Sequence, residues 1–455
     1  MLKLKKIHFV GVGGIGVSAL AEILLNKGIS VSGSDNVPSD ITRNLAKAGA
    51  KVYNKHSASN LDKDTELVVY SPAIMQDNPE LAKARNLKIR CLSYPQALGL
   101  LSERYYTIAV AGSHGKSTTT AMIARIMYKA GLDPTVVVGT KMPEFGNMNF
   151  RVGDSKYLVI EACEYKDSFL NFTPNILVIT NIEADHLDYF KNVANYKKSF
   201  AKIANKVPKD GFILINLDDK YAKTVVKNAK AKVITFSSSK KYADYFLYKN
   251  LLIEKPISKK LDKKSEQHLN IEPGVIGNFN LVNGSMASMA CRLLKIENKK
   301  IEQALKGFRG SWRRLETKKT SLKGPVIIDD YGHHPTEIKK TLAAIRIQYP
   351  KDKILCVFQP HQYNRTFQLL KDFGTSFGSV DQVIIPNIYQ VRDSKEDVKS
   401  VSTDKLVKEI RKHRGNVTNG GGLEKTAEYL RLNYKKFGVI VTMGAGDIEN
   451  IYGML

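Results

Sequence analysis

The 455-residue sequence predicts an α/β protein built from three domains. Its length exceeds that of one ordinary core, since a domain takes about 150 residues. Apolar, β-branched runs alternate with helical patterns along the chain, which is typical of parallel sheets covered by helices. Two of these runs end in glycine turns that precede a helix, one near Gly11 and one near Gly112. We predict domains at residues 1–104, 105–315 and 316–455.

The first domain is predicted to be Rossmann-like. Residues 6–10 form a short apolar strand pattern, and Gly-Val-Gly-Gly-Ile-Gly at 11–16 leads from it into a helical pattern. A second strand pattern follows and ends at Asp35. Glycines in this arrangement let the backbone approach a diphosphate at a helix N-terminus. The pattern alone predicts NAD binding, but any nucleoside diphosphate can use such a turn, UDP-sugars included.

The second domain is predicted around a phosphate-binding loop. A strand pattern at residues 106–110 is followed by Gly-Ser-His-Gly-Lys-Ser at 112–117 and then by a helical pattern. Backbone N–H groups of such a loop hold phosphate oxygens, Lys116 would reach the terminal phosphates, and the Ser117 hydroxyl would bind Mg²⁺. The standard spacing has a glycine where this chain has Val110, so the loop is a variant. A plain glycine turn before a helix is the alternative interpretation.

Polar side chains follow two further strand patterns, at residues 156–160 and 175–180. These side chains are Glu161, Glu164, Asn181, Asp185 and His186. Because ligands bind at the carboxyl ends of parallel strands, we expect them to converge on Lys116 and Ser117. Oxygen ligands beside a phosphate suit Mg²⁺. A single acid or histidine would be better explained by a surface or capping role, but this placement favours a site.

Two polar clusters near the end of the second domain leave alternatives open. Asn280 and Asn283 open a helical pattern, where they can cap the helix or read a base edge. Arg313 and Arg314 lie near the predicted boundary, where they can clamp phosphate or form an interdomain salt bridge. Residues 237–270 are lysine-rich and weakly periodic, and we expect irregular strands and exposed loops there.

The third domain is predicted to be a second α/β sheet. Strand patterns at residues 326–330, 354–358 and 439–443 each lead into a polar or glycine-rich turn. The first turn contains Asp330 and His334, and the second contains His361 and Arg365. Buried polar groups at strand ends are costly unless paired, so these turns indicate a site.

Composition limits the possible partners and the location. The net charge is +26, but the lysines are spread along the chain without a basic stripe interleaved with aromatics, so we predict no nucleic acid. No apolar run is long enough for a bilayer, and the N-terminus leads directly into a strand, so we predict neither membrane insertion nor a signal peptide. The four cysteines are scattered, which fits thiols in a reducing cytoplasm.

Taken in order, these motifs resemble those of the Mur ligases. The resemblance rests on both glycine turns, Asn-Ile-Glu-Ala-Asp-His at 181–186, the paired asparagines, Arg-Arg-Leu-Glu at 313–316, Asp-Asp-Tyr-Gly-His-His-Pro at 329–335 and Gln-Pro-His…Arg-Thr at 359–366. It extends from Gly11 to Asp447. Within the family, Glu-Ala-Cys-Glu-Tyr at 161–165 is most similar to the members that join L-alanine to UDP-N-acetylmuramate.

The resemblance implies an ATP-dependent, amide-forming ligase that uses Mg²⁺ and an acyl-phosphate intermediate. The N-terminal domain would bind the UDP-sugar, and the central P-loop-type ATPase domain would bind ATP. The C-terminal Rossmann-like domain would contact ATP and the amino acid. The expected partners are UDP-N-acetylmuramate and L-alanine, and the expected assembly is a monomer or homodimer.

The resemblance also implies roles for individual residues. The catalytic set is Lys116, His186, His334 and Arg365, and the metal ligands are Ser117, Glu161 and His186. The ATP set is Gly112, Ser113, His114, Gly115, Lys116, Ser117, Thr118, Asn280, Asn283, Arg314 and Asp330. The UDP-sugar set is Gly13, Gly14, Ile15, Gly16, Ser34, Asp35, Ser71, Pro72, His114, His361 and Arg365.

Two other functions remain open at this point. A recycling ligase that adds a tripeptide to the same nucleotide sugar shares the 329–335 motif, although Ile182 and Ala184 favour the alanine-adding enzyme. An NAD-dependent oxidoreductase would explain the first glycine turn. It would leave Lys116, Ser117 and the predicted metal ligands without a role.

Overall fold

The strands of the described chain form three sheets. The computed structural model describes residues 4–183, 185–255, 268–391 and 393–455, without the side chains of residues 187 and 188. Each sheet lies within one of the three predicted domain ranges. The chain forms two compact units, the first of Met1–Glu272 and Leu281–Phe308 and the second of Pro273–Asn280 and Arg309–Leu455. The division into three domains stays a prediction, while the predicted α/β class is confirmed.

The first sheet is parallel and has the strand order β3-β2-β1-β4-β5. Its strands are β1 Lys6–Val10, β2 Ser30–Ser34, β3 Lys51–Tyr53, β4 Leu67–Tyr70 and β5 Arg90–Ser93. Its helices are α1 Ile15–Asn26, α2 Asp40–Lys47, α3 Pro79–Asn86 and α4 Tyr94–Ser102. The strand order reverses between β1 and β4, and such a switch point is where ligands bind in open parallel sheets. The turns that begin at Gly11 and Ser71 meet there.

The second sheet has ten strands, and β6 lies in its interior between β10 and β9. Its strands are β6 Tyr106–Ala111, β7 Thr135–Met142, β8 Met148–Arg151, β9 Tyr157–Glu161, β10 Ile176–Ile179, β11 Phe212–Asn216, β12 Lys232–Ser237, β13 Tyr245–Tyr248, β14 Leu251–Glu254 and β15 His268–Asn270. Its helices are α5 Lys116–Lys129, α6 Leu187–Phe190, α7 Val193–Lys206, α8 Ala222–Val225, α9 Asn278–Leu293 and α10 Asn298–Lys306. All pairings among strands β6 to β12 are parallel except the pairing of β7 with β8.

Two parts of this sheet were not predicted in detail. The β7–β8 pair is an antiparallel hairpin for which we made no prediction. The lysine-rich stretch contains three regular strands, β13 to β15. The pairings of β13 with β14 and of β14 with β15 are antiparallel. Residues 256–267 of that stretch lie outside the described residues.

The third sheet has the strand order β16-β17-β21-β18-β19-β20. Its strands are β16 Glu316–Lys318, β17 Val326–Asp330, β18 Ile354–Phe358, β19 Gln382–Ile385, β20 Val417–Asn419 and β21 Val439–Met443. Its helices are α11 Pro335–Gln348, α12 Tyr363–Gln368, α13 Leu370–Gly374, α14 Lys395–Ser400, α15 Thr403–Arg411 and α16 Leu423–Asn433. All pairings are parallel except β16 with β17. The turns after β17, β18 and β21 therefore share one edge.

A helix that spans a bilayer needs both sufficient length and sufficient apolarity. None of the helices in the described ranges meets both requirements.

Candidate active site

The phosphate loop leaves the middle of the second sheet and enters α5. Gly112 and Gly115 have positive φ angles of 140° and 79°, a region that side chains disfavour. A Cβ at Gly112 would lie 2.0 Å from the Thr180 hydroxyl oxygen, so this position also has no room for a side chain. Val110 is fully buried and pairs with Glu161 within the sheet. Strand β6 ends at Ala111 and the turn begins at Gly112. Position 110 therefore lies within the strand, where no glycine is required.

The segment after β10 holds the loop in this shape. The Asn181 side chain accepts a hydrogen bond from the His114 backbone N–H at 2.9 Å and donates one to the His114 carbonyl at 2.9 Å. The Ser113 N–H donates to the Asn181 carbonyl at 3.0 Å. The His114 ring lies 3.0 Å from a Glu183 carboxylate oxygen. Asn181 is thus a support of the loop.

Lys116 lies inside the loop and is mostly buried. Its ammonium group donates to the Gly112 carbonyl, to the Ser113 carbonyl at 3.1 Å and to a Glu164 carboxylate oxygen at 3.1 Å. Burial alone would lower the pKa of Lys116, but the negative charges of Glu164 and its neighbours raise it by more. The group therefore stays cationic.

The predicted oxygen ligands of a metal meet at the start of α5. The Ser117 hydroxyl donates to Glu161 at 3.0 Å, and the other Glu161 oxygen accepts from the Gly139 N–H at 2.7 Å. A hydroxyl and a carboxylate beside a phosphate loop are the donors that Mg²⁺ prefers, so these residues fit the ion. Gly139 was not predicted, because a backbone donor in β7 leaves no pattern in the sequence.

His186 is placed by the segment that follows β9. The His186 ring packs on the Tyr165 ring with a centroid distance of 4.7 Å, and its own φ is 53°. Lys166 and Asp167 also have left-handed backbone, with φ of 52° and 57°. Asp167 accepts a hydrogen bond from the Tyr189 hydroxyl at 2.9 Å. Strained backbone of this kind persists only where neighbours hold it, and it is common at functional sites.

The first glycine turn is held by the acid at the end of β2. The Gly13 N–H donates to Asp35 at 2.8 Å, and the Val37 N–H donates to its other oxygen at 3.0 Å. A Cβ at Gly11 would lie 3.0 Å from Ser71 Cβ, so the two turns of the switch point touch. Pro72 is exposed beside them. The structure thus brings together most of the glycines and turn residues predicted for the UDP-sugar.

Ser34 has a supporting position. Its hydroxyl is buried and donates to Glu80 at 2.5 Å, while it also lies 2.8 Å from the His56 ring. Glu80 is fully buried and accepts from Asn60 at 2.6 Å. Its second oxygen lies 3.6 Å from the buried His8 ring. This network was not predicted, because its members are far apart in sequence.

The N-terminus of α1 is surrounded by residues from outside the Rossmann-like pattern. A Cβ at Gly16 would lie 2.8 Å from the hydroxyl and the Cζ of Tyr94, so the tyrosine ring covers this turn. The Ile15 carbonyl accepts from Asn149 of β8 at 2.9 Å. Gly14 directly precedes Ile15 and is the N-cap residue of α1. Burial raises the pKa of Tyr94 first, and the charge of Glu161 raises it further.

The two predicted adenine residues fall in different units. In the first unit, a Cβ at Gly115 would lie 2.5 Å from the Asn283 amide oxygen, so Asn283 contacts the phosphate loop. In the second unit, Asn280 donates to the Ile276 carbonyl at 2.7 Å. This bond joins Asn280 to a residue two positions before α9, and capping and base recognition both stay predictions. Thr118 lies in the first turn of α5.

Of the two adjacent arginines, Arg313 has a structural role, whereas Arg314 remains a candidate ligand. Arg313 is 1% exposed, donates to Asp329 at 2.9 Å and to the Gly444 carbonyl at 2.6 Å. It therefore forms a salt bridge within the second unit. Arg314 lies over the Tyr331 ring at 5.1 Å. Both oxygens of Asp330 accept backbone N–H groups, from Gly332 and Leu315, at 2.9 Å each.

Three further predicted residues occupy the same edge of the third sheet. His334 caps α11 and accepts from the Thr336 N–H through Nδ1 at 3.3 Å. Arg365 lies one helical turn after His361, and its guanidinium is 3.3 Å from the His361 Nδ1. The His361 ring stacks on Tyr389 with a centroid distance of 5.7 Å. Tyr389 was not predicted, since its strand end carried no motif that we singled out.

Family models match three successive parts of the chain. Residues 6–106 match "Mur ligase family, catalytic domain", residues 110–291 match "Mur ligase middle domain", and residues 313–446 match "Mur ligase, glutamate ligase domain". A curated relative, the UDP-N-acetylmuramate–L-alanine ligase of Clostridium tetani, is 41% identical over 449 residues, which are 98% of this chain and 96% of the relative.

Solved structures of similar proteins have the same fold. The UDP-N-acetylmuramate-alanine ligase of Thermotoga maritima is 27% identical, covers 98% of this chain and 97% of its own, and superposes with a TM-score of 0.77. A murein peptide ligase of Psychrobacter arcticus is 21% identical, covers 99% of this chain and 97% of its own, and has a TM-score of 0.72. At 21% identity, the second likeness shows the fold alone.

Proposed function

The chain belongs to the Mur ligase family, and from this premise we propose that it joins L-alanine to the carboxylate of UDP-N-acetylmuramate with cleavage of ATP. The products are UDP-N-acetylmuramoyl-L-alanine, ADP and phosphate, so the enzyme supplies a peptidoglycan precursor. The observation that carries the proposal is that Lys116 and Ser117 begin α5 and that the Ser117 hydroxyl donates to Glu161 at 3.0 Å.

The reaction requires the carboxylate to be activated first. A carboxylate oxygen of the sugar attacks the γ-phosphorus and ADP leaves, which forms an acyl phosphate. The amine of alanine then attacks the acyl carbon, phosphate leaves, and the ammonium proton is lost to solvent or a base. The first step brings two anions together, so it depends on fixed cations and donors. Lys116 and the first N–H groups of α5 supply them.

The metal and the sites of the other substrates are part of the proposal. Ser117, Glu161 and His186 would hold Mg²⁺, which when bound neutralises phosphate charge. Gly13, Gly14 and Gly16 would approach the diphosphate of the sugar nucleotide. The remaining residues keep the roles that the family resemblance implies, with Asp330 at the ribose and His334, His361 and Arg365 at the muramoyl and amino-acid groups.

Location and assembly are also proposed. We place the enzyme in the cytoplasm, since its four cysteines are free thiols and both nucleotide substrates belong to that compartment. A monomer or a homodimer remains the expected assembly.

A phosphate-release assay tests the function. Purified enzyme is given ATP, Mg²⁺ and UDP-N-acetylmuramate with L-alanine, glycine, L-serine or the recycling tripeptide. We expect kcat/KM to be at least tenfold higher for L-alanine than for the tripeptide, and no release without the sugar nucleotide. A preference for the tripeptide would establish the recycling ligase instead.

A further inference from the structure

Glu164 is a buried acid for which the reaction scheme above has no role. Its side chain is fully buried, and both carboxylate oxygens lie 3.1 Å from the Lys116 ammonium nitrogen. The three ammonium protons go to the Gly112 carbonyl, the Ser113 carbonyl and one Glu164 oxygen. The second Glu164 oxygen therefore has no hydrogen-bond donor among the described residues, and contributes charge only.

A second contact ties the same carboxylate to the phosphate loop. The Tyr196 hydroxyl, from α7, donates to Glu164 at 3.1 Å and lies 2.9 Å from the Ser113 hydroxyl. Ser113 in turn donates to the Glu183 carbonyl at 2.7 Å and accepts from its N–H at 2.8 Å. A continuous buried path thus runs from Lys116 through Glu164 and Tyr196 back to the loop.

This arrangement differs from that of an acid that serves the fold alone. Asp218 lies at the turn after β11 and accepts from the Ser238 N–H at 2.8 Å and from serine hydroxyls, so it stabilises a local turn. Glu164 instead contacts Lys116, the residue proposed above to bind the reacting phosphate. Burying a carboxylate without a nearby opposite charge is costly. Separating Lys116 from Glu164 would incur that cost, so the ion pair keeps the ammonium group in place.

We propose that Glu164, supported by Tyr196, is a positioning residue that fixes the Lys116 ammonium and the Ser113 turn in the phosphate-binding geometry before the nucleotide arrives. The inference rests on the proposed function, because it assigns Lys116 to the terminal phosphate. Its physical basis is preorganisation: a long lysine side chain that is already ordered loses less freedom on binding.

The test compares four variants with the wild type. Glu164→Ala removes both hydrogen bonds and the charge, Glu164→Gln keeps one acceptor, and Tyr196→Phe removes only a hydroxyl. The Tyr196 ring packs on Phe190 and Phe200 with centroid distances of 4.9 Å and 5.1 Å, so its phenylalanine variant keeps the core. Asp218→Asn is the matched control for losing an acid in the same sheet.

Two readouts are measured on each variant. The first is the affinity for a non-hydrolysable ATP analogue by calorimetry, and the second is kcat and KM for each substrate. We expect Glu164→Ala to bind the analogue at least tenfold more weakly and to lose at least 30-fold in kcat/KM for ATP. Tyr196→Phe should lose about three- to tenfold in kcat/KM for ATP, and Glu164→Gln should lie between Tyr196→Phe and Glu164→Ala. The KM values for UDP-N-acetylmuramate and L-alanine should stay within twofold of the wild-type values.

The outcomes separate this inference from the proposed function. Analogue affinity and kcat/KM for ATP within twofold of wild type in both Glu164→Ala and Tyr196→Phe would overturn the inference. So would parallel loss for all three substrates, which indicates a purely structural role. If the wild type releases no phosphate with any amine, the proposed function fails, while the calorimetry still decides the role of Glu164.

Discussion

Among single residues, Lys116 carries the most direct prediction. It is the cation of the phosphate loop, and its ammonium group faces the loop carbonyls. Lys116→Ala should lower kcat by about 10²- to 10³-fold, the range for removing one preorganised charge or donor. UDP-N-acetylmuramate binding, measured by calorimetry, should not change. Lys129→Ala, at the exposed far end of α5, is the control. Wild-type turnover in Lys116→Ala would show that the phosphate loop is wrongly assigned.

Asp330 makes a prediction about pH. Burial raises the pKa of this carboxyl to about 6 from 3.8, against the opposing charge of Arg314. The folded state therefore holds a proton between about pH 4 and 6 that the unfolded state has lost, so stability falls as pH rises through this window. At pH 7 the ionised group costs about 3 kcal/mol relative to the unfolded chain. The advantage of Asp330→Asn over wild type should grow by that amount from pH 4 to 7.

Urea unfolding followed by the fluorescence of Trp312, the single tryptophan, measures this difference in the second unit. Asp381 is a control of opposite sign in the same sheet. Burial tends to raise the pKa of Asp381, but the Ile354 N–H and Arg346 lower it overall. The stabilising contribution of Asp381 is present above the pKa of the unfolded chain and is lost as pH falls. The stability of Asp381→Asn relative to the wild type should therefore decrease as pH rises. A flat difference for Asp330→Asn would refute the raised pKa.

Among the elements, the packing of α4 on α1 makes the sharpest prediction. The Tyr94 ring leaves no space at Gly16, where a Cβ would lie 2.8 Å from the ring. Gly16→Ala should destabilise the protein by about 1–3 kcal/mol, the usual cost of overpacking. It should also raise the KM for UDP-N-acetylmuramate several-fold, because Gly16 belongs to the proposed diphosphate turn.

Thermal denaturation and steady-state kinetics check this pair of effects. In the Tyr94→Ala background, which lacks the ring, Gly16→Ala should cost much less stability than it does in the wild type, since the clash is removed. Gly378→Ala, which meets nothing within 4 Å, should be neutral. If Gly16→Ala were as stable as wild type, the close approach of the two helices would be incorrect.

For the whole molecule, the net charge of +26 predicts a salt dependence. A positive protein attracts anionic substrates, and salt screens that attraction, with a Debye length of about 10 Å at 0.1 M. Raising the salt from about 0.05 M to 0.5 M should raise the KM for UDP-N-acetylmuramate several-fold. The KM for L-alanine, which carries no net charge, should change much less and serves as the internal control. Equal shifts in both KM values would exclude an electrostatic cause.

The sequence was sufficient for the parallel strands and for the loops at their carboxyl ends. Buried strands such as β6, β10, β18 and β21 are continuous apolar runs, and their glycine or polar turns are local signals. The glycine turns at residues 11–16 and 112–117 follow from such signals, because neighbouring residues form them. The β7–β8 hairpin carried no equivalent signal, and its antiparallel pairing depends on the rest of the sheet.

What the sequence by itself determined is therefore the α/β class, the family and the residues of the two glycine turns. Only the tertiary structure decided which partners those residues have: Glu164 and Tyr196 for Lys116, Gly139 for Glu161, Tyr94 for Gly16, and a salt bridge with Asp329 for Arg313. The physical reason is that a turn or a buried strand is specified by adjacent residues. A buried charge is instead satisfied by whichever distant side chain the packed sheet brings within hydrogen-bonding distance.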